Sequence, residues 1–204
     1  MPIFSTPLIA LLDTAAIFIF ALTGALVAAA NRQTLVTFTF FAVVAGVGGG
    51  SVRDLLIGAR VFWIDHNASL AACLAAALTV WAAPKHWWRG RAIDWLDAVG
   101  LAAYATFGAA KALAYGVAPL PAIAMGVLTG CLGGILRDVL AGQPSILMRP
   151  ELYVTAAALS AALVVGLLVL GVPAVVAGPL AAAAGFGLRA LAIAKGLRLP
   201  AYRL

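Results

Sequence analysis

The sequence predicts an all-α membrane protein of seven transmembrane helices, built as a 3+3 inverted repeat plus one extra helix. Three observations carry that expectation. The chain is 65% hydrophobic and 10% charged, with a mean hydropathy of +1.10, whereas a soluble domain carries about 25% charged residues. Its apolar residues fall into seven long runs. A glycine cluster followed by an Arg-Asp pair also occurs twice, 84 residues apart, as GVGGGSVRDLLIG at 46–58 and GCLGGILRDVLAG at 130–142. Lipid excludes flexible backbone beside opposite charges unless they line a protected polar interior.

A span needs about 20 apolar residues, and the runs place spans at 7–30, 34–57, 67–83, 93–115, 119–141, 151–171 and 173–195. The first has no basic flank and is too long for a signal-peptide core, so it reads as a retained helix. The third is short and alanine-rich. Pro7, Pro119 and Pro173 fall near helix starts, where a missing N–H costs little. Pro84 and Pro200 lie just past helix ends, and Gly171-Val172-Pro173 marks a tight turn between the last two spans.

Shifting the chain by 84 residues aligns Asp13 with Asp97, Gly24 with Gly108, Gly46 with Gly130, Gly49 and Gly50 with Gly133 and Gly134, and Gly58 with Gly142. Arg53-Asp54 falls on Arg137-Asp138, without a gap. A unit of three spans is odd, so its second copy enters the membrane upside down. The chain then forms one membrane domain over 1–204, with repeat one at 7–83, repeat two at 93–171 and the seventh helix at 173–195.

Charge sets the expected orientation. One side collects Arg32, Lys85, Arg89, Arg91, Arg149, Lys195, Arg198 and Arg203, while the other has Arg60 alone among loop cations. The positive-inside rule puts the N-terminus outside and the C-terminus in the cytoplasm. Trp87 and Trp88, in KHWWRGR at 85–91, read as interfacial anchors. The net charge of +6 sits in short loops between spans, so no nucleic-acid partner is expected. Cys73 and Cys131 lie in apolar runs as small hydrophobes, and His66 and His86 are isolated in loops. No metal spacing, nucleophile-base pair or cofactor motif appears, so neither an enzyme nor a cofactor is expected.

In inverted-repeat folds, sites lie near the midplane on broken helices. A 25-residue helix is about 37 Å long, so Gly46 and Gly130 fall near mid-bilayer. Each glycine costs a helix roughly 1 kcal/mol against alanine, and a kink or unwound turn at Gly48, Gly49, Gly50, Gly133 and Gly134 would free carbonyls for cations. The competing reading is close helix packing. Ser51 and Thr129 supply hydroxyls beside these glycines, and Thr39 adds one nearby. Helical neighbours face about 100° apart, so cross pairs Arg53–Asp138 and Arg137–Asp54 are expected, as pathway charges or as structural locks. Asp13 and Asp97, near the starts of spans one and four, suit either a helix N-terminus or a cation-attracting vestibule. Lys111 breaks the repeat, since Val27 is its partner. It either snorkels to the interface or faces the pathway, where it would lower cation flux or respond to voltage.

The residues Asp13 with FALTGAL (20–26), GGGSVRD (48–54), Asp97 with GAAKAL (108–113) and GGILRD (133–138) carry a family resemblance. Over about 7–195 the chain resembles the prokaryotic branch of the trimeric intracellular cation channels, whose domain is also labelled a glycine transporter. The resemblance implies a homotrimer in membrane lipid, with one ion pathway inside each subunit. It implies K⁺ and Na⁺ permeation along glycine-bent second and fifth helices, with Gly48, Gly49, Gly50, Gly133 and Gly134 at the bends and Lys111 in the fourth helix. With the absence of targeting segments, it suggests a bacterial inner (plasma) membrane. Animal relatives have a basic loop region tied to phosphoinositides; this chain has no long lysine-rich tract there, so that regulation is not carried over. The alternative function is a secondary transporter of a small solute such as glycine. The thin polar set at the midplane favours a simple conduit, and a structural scaffold would show no flux at all.

Overall fold

The structure is a computed structural model that describes residues 7–65, 67–88 and 91–200. His66, Arg89 and Arg203 lie outside the described residues, as does the side chain of Lys85. Among the described residues seven α-helices follow in order: α1 Pro7–Ala30, α2 Leu35–Leu56, α3 Asn67–Ala82, α4 Ala92–Ala114, α5 Pro119–Leu140, α6 Val154–Val169 and α7 Ala174–Lys195. Their ends lie within three residues of the spans expected from the sequence. Local chemistry explains several of these ends. The Thr34 hydroxyl accepts from the Thr37 N–H at the start of α2, as an N-cap should. Pro119 opens α5, where its fixed φ suits a helix start.

The helices differ in how well they match a bilayer. Four of them (α1, α2, α5 and α7) are long and apolar enough to cross a membrane by length and composition. Helix α4 has the length but carries Asp94, Asp97 and Lys111. With 16 residues each, α3 and α6 reach about 24 Å, short of a core of about 30 Å. Such helices are accommodated by local thinning or interfacial anchoring, and exposed Trp81 and Trp87 stand beside the end of α3. Trp88 is half-buried. Cys73 and Cys131 are buried free thiols packed among apolar side chains.

Helices α1, α2 and α3 pack on one another, and so do α4, α5 and α6. The two triplets meet through α2 against α5 and α1 against α4, while α7 lies on α6 and α4. A Cβ on Gly49 would strike the Thr129 carbonyl oxygen, and a Cβ on Gly133 would strike that of Ala45. These contacts are related by the 84-residue shift, and they run Ala45 to Gly133 and Gly49 to Thr129, so α2 and α5 are antiparallel. This is the inverted repeat expressed as packing.

The glycines do not unwind their helices. Leu35–Leu56 and Pro119–Leu140 are each continuous α-helix, which corrects the expectation of an unwound turn. The physical reason is the crossing: without side chains at Gly49 and Gly133 the two backbones approach closely and gain packing that offsets the low helix propensity. Gly50 serves the same end beside the Phe62 ring, which a Cβ would approach to 2.7 Å.

Gly133→Ala is expected to lower stability by about 1–3 kcal/mol, the usual range for overpacking. Gly166→Ala, whose Cβ would meet nothing within 4 Å, should be neutral or slightly stabilising. Thermal unfolding midpoints in detergent compare the two, and equal midpoints would contradict the close crossing.

Candidate functional site

At the last turn of α2 the Arg53 and Asp54 side chains fold onto each other. Arg53 Nη2 and Nε lie 2.7 and 2.8 Å from Asp54 Oδ1. The repeat does the same in α5, where Arg137 Nε lies 2.9 Å from Asp138 Oδ1. The cross pairs expected from helical spacing are therefore not formed. Each arginine instead bends back over its own neighbour, because the carboxylate has a second duty. Asp54 Oδ2 accepts the Phe62 N–H, and Asp138 Oδ2 accepts the Ile146 N–H, both at 3.1 Å. The Asp thus ties the returning loop to the helix end. Gly58 and Gly142, both at φ +66°, make the left-handed turn that brings each loop back.

Helices α1 and α4 complete both clusters. Arg137 Nη1 donates to Asp97 Oδ1 and to the Thr23 hydroxyl, each at 2.8 Å. In the equivalent place Arg53 lies over the Phe107 ring, 5.5 Å from its centroid. Thr23 and Phe107 are themselves repeat partners. Arg53, Asp54, Arg137, Asp138 and Asp97 are all at most 4% exposed. Breaking such buried pairs is costly because the surviving charge has no water to turn to.

The first cluster has one more member. Lys111 Nζ lies 2.8 Å from Asp54 Oδ1, with the Phe62 and Tyr115 rings about 6 Å away. Lys111 therefore turns inward instead of snorkelling to the interface. From the antiparallel crossing, the two clusters stand about 18 Å apart along α2 and α5 at 1.5 Å per residue. The glycine crossing lies between them.

The hydroxyls at the crossing are engaged. Ser51 Oγ donates to the Val47 carbonyl and accepts from the Trp63 indole N–H. Thr129 Oγ1 donates to the Met125 carbonyl and packs against Gly108. Asp97 is buried on Arg137 and does not open into a vestibule, which corrects that reading for one of the pair. Asp13 lines a cavity of about 960 Å³ between α1, α4, α6 and α7. That cavity is almost wholly apolar and is bordered by Tyr104, Phe107 and Pro179. None of the glycines expected along a pathway reaches it, nor do Ser51, Thr129 or Lys111.

This architecture is found in known proteins. A crystal structure of the TRIC trimeric intracellular cation channel orthologue from Rhodobacter sphaeroides superposes with a TM-score of 0.86 at 42% identity, over 94% of this chain and 100% of that one. The chain belongs to the trimeric intracellular cation channel family. A prokaryotic TRIC channel crystallised in 0.5 M KCl matches at a TM-score of 0.84 and 26% identity, over 93% of this chain and 98% of that chain. The family model described as glycine transporter matches twice, at 10–85 and 94–169, an offset equal to the internal repeat. Among curated relatives, a UPF0126 membrane protein of Vibrio cholerae is 40% identical over 74% of this chain. The match spans 64% of that protein's length. The UPF0126 inner membrane protein of Escherichia coli is 35% identical over 71% of this chain and 72% of its own.

Several residues in or beside the two clusters were not singled out from the sequence. Thr23 and Phe107 lie inside or beside the repeated motif, and their alignment with each other was the available signal. Tyr153, Glu151 and Arg189 have no counterpart in repeat one to flag them. Arg189 is 1% exposed, bridges Glu151 at 2.7 Å and lies over the Tyr153 ring. An arginine inside an apolar span is itself a signal of function or pairing.

Asp54→Ala strands Arg53 in the interior and should lower stability by about 3–5 kcal/mol. Lys111→Met leaves Asp54 its arginine and should cost clearly less. Unfolding of both variants in detergent tests this order, and a larger loss for Lys111→Met would contradict the shared-carboxylate geometry.

Proposed function

We propose that this chain is a passive monovalent cation channel that conducts K⁺ and Na⁺ through each subunit, between α2 and α5. The observation that carries the reading is the pair of buried Arg-Asp clusters at opposite ends of one glycine crossing, in a fold shared with TRIC cation channels. Gly48, Gly49, Gly50, Gly133 and Gly134 let the two helices close against each other. Parting them would uncover the Thr129 and Ala45 carbonyls together with Ser51 and Thr129, all oxygen donors suited to hard cations. Asp13 would draw cations toward one end, while Asp97 stays buried on Arg137. In the described arrangement the crossing is shut, so conduction requires α2 and α5 to separate.

Lys111 fits the role of a charge on this route. Its ammonium opposes cation passage while it holds Asp54. A charge crossing the whole membrane field gains about 2.3 kcal/mol per 100 mV, so even partial travel would make its release sensitive to voltage. The chain would act as a homotrimer in lipid, in a bacterial inner membrane, with its N-terminus outside and its C-terminus cytoplasmic. The loop and tail cations favour that orientation. The second reading, a transporter of glycine or a similar small solute, has the description of the matching family model in its favour.

Single-channel recording in planar bilayers separates the two. Under a KCl gradient we expect ohmic unitary steps that reverse near the K⁺ potential and ignore added glycine. Lys111→Ala should raise the conductance or flatten its voltage dependence. Saturable glycine uptake by proteoliposomes without unitary steps would overturn the channel reading.

A further inference from the structure

The cavity beside Asp13, of about 960 Å³, lies at the upper end of the range of about 300–1,000 Å³ that holds a sizeable organic ligand. It is a groove that follows α4 from Ala114 back to Val99, about 22 Å at 1.5 Å per residue. That exceeds the depth of one leaflet, half of a core of about 30 Å. Helix α4 runs antiparallel to α1 and α7: Asp13 stands near Lys111 while Phe20 packs on Gly100, and Trp95 meets Phe186. The end of α4 and the starts of α1 and α7 therefore share one end of the groove. The rest, toward Ile19, Val99 and Ala182, is apolar. Thr106 also lines it, but its hydroxyl proton is spent on the Ala102 carbonyl.

The polar groups at that shared end are both acceptors. Asp13 lines the groove and has the Tyr104 hydroxyl as a hydrogen-bond partner. Among the described residues it forms no salt bridge, because Arg53 and Lys111 both point at Asp54 Oδ1 and reach Asp13 only through their longer-range field. Its repeat partner Asp97, by contrast, holds Arg137 at 2.8 Å. The second acceptor comes from α7. Pro179 lies inside that helix and has no N–H to give the Val175 carbonyl four residues earlier, and both residues line the groove. A carboxylate and a spare carbonyl at one end of an apolar groove call for N–H donors. The two carboxylates and two cations around Asp54 already balance, so the donor has to arrive on a molecule of zero net charge.

We propose that this groove binds a zwitterionic aminophospholipid of the phosphatidylethanolamine type, its primary ammonium on Asp13 and the Val175 carbonyl and one acyl chain laid along α4. The ammonium supplies three N–H donors, and the phosphate of the same headgroup keeps the total charge at zero. A choline headgroup has no N–H and satisfies neither acceptor. An anionic headgroup without an amine adds charge and brings no ammonium. The order of the groove, polar at the helix ends and apolar toward the membrane centre, matches a lipid seated in one leaflet. Phe107 lines the groove and carries the Arg53 guanidinium 5.5 Å from its ring centroid, so the lipid packs against the same ring that the first cluster uses. The site needs no ion flux, so it stands or fails separately from the channel reading.

The test is competitive lipid retention by the purified full-length protein, read by native mass spectrometry from detergent. Phosphatidylethanolamine and phosphatidylcholine with identical chains are offered in equal amounts. The ethanolamine lipid should be retained roughly tenfold over the choline lipid, the worth of one hydrogen bond to a charged group. Successive N-methylation of the ethanolamine should lower retention step by step, an outcome that needs no variant. Asp13→Asn should bring the two lipids close to equal. Gly178→Phe, at a groove position where a Cβ meets nothing within 4 Å, should displace both by filling the space. Equal retention of the two lipids by the unaltered protein would overturn the proposal. So would a preference that survives both substitutions, because the lipid would then sit elsewhere. Phosphatidylglycerol retained above phosphatidylethanolamine would assign the binding to surface cations and overturn it as well. A photo-reactive benzoylphenylalanine placed at position 178 should capture lipid; capture of a second copy of the chain instead would show the groove covered by protein and would also overturn it.

Discussion

A carboxylate held at the end of a lipid-embedded helix must be neutralised where it stands, because neither solvent nor mobile counter-ions reach it freely. In this chain that constraint organises both halves. Asp54 and Asp138 pin a returning loop through a backbone N–H, and the preceding arginine neutralises the same carboxylate. The arginine in turn needs a companion on the neighbouring helix, which is Thr23 with Asp97 in one half and the Phe107 face in the other. Helix ends, loop paths and the seating of α1 and α4 all follow from satisfying that one pair twice.

Between the clusters the requirement is the reverse: no side chain at all. Gly49 and Gly133 bring the backbones of α2 and α5 into contact in an antiparallel crossing. Charge pairs therefore hold the helix termini while a close, side-chain-free contact holds the middle. The symmetry is broken at Lys111 and Val27, which gives the two ends different electrostatics. The cavity beside Asp13 lies between α1, α4, α6 and α7, and apart from that carboxylate its lining is almost wholly apolar.

Much of the architecture was legible in the sequence because membranes enforce simple rules. Span lengths, the 84-residue shift and the odd number of helices per unit sufficed to place seven helices and the inverted repeat. The partners of the charges were not legible. Helical geometry argues against adjacent residues meeting, but long arginine side chains at a helix end can fold back, as Arg53 and Arg137 do. The unwound turn expected at the glycines does not form for a related reason: low propensity suggests a break, while a partner backbone at the same depth makes continuity favourable. Tyr153 and Arg189 escaped notice because they have no image in the other half, and an internal repeat reveals only what it copies.

The central claim is that two copies of one three-helix unit lie in opposite orientation, with their Arg-Asp clusters at opposite membrane faces. Arg60 and Met148 are exposed in the loops that follow those clusters. Single cysteines at these positions, probed in intact cells with a membrane-impermeant maleimide before and after permeabilisation, test it most directly. The account predicts that one site reacts in intact cells and the other only after permeabilisation. Labelling of both from the same side would contradict the inverted repeat and the pathway built on it.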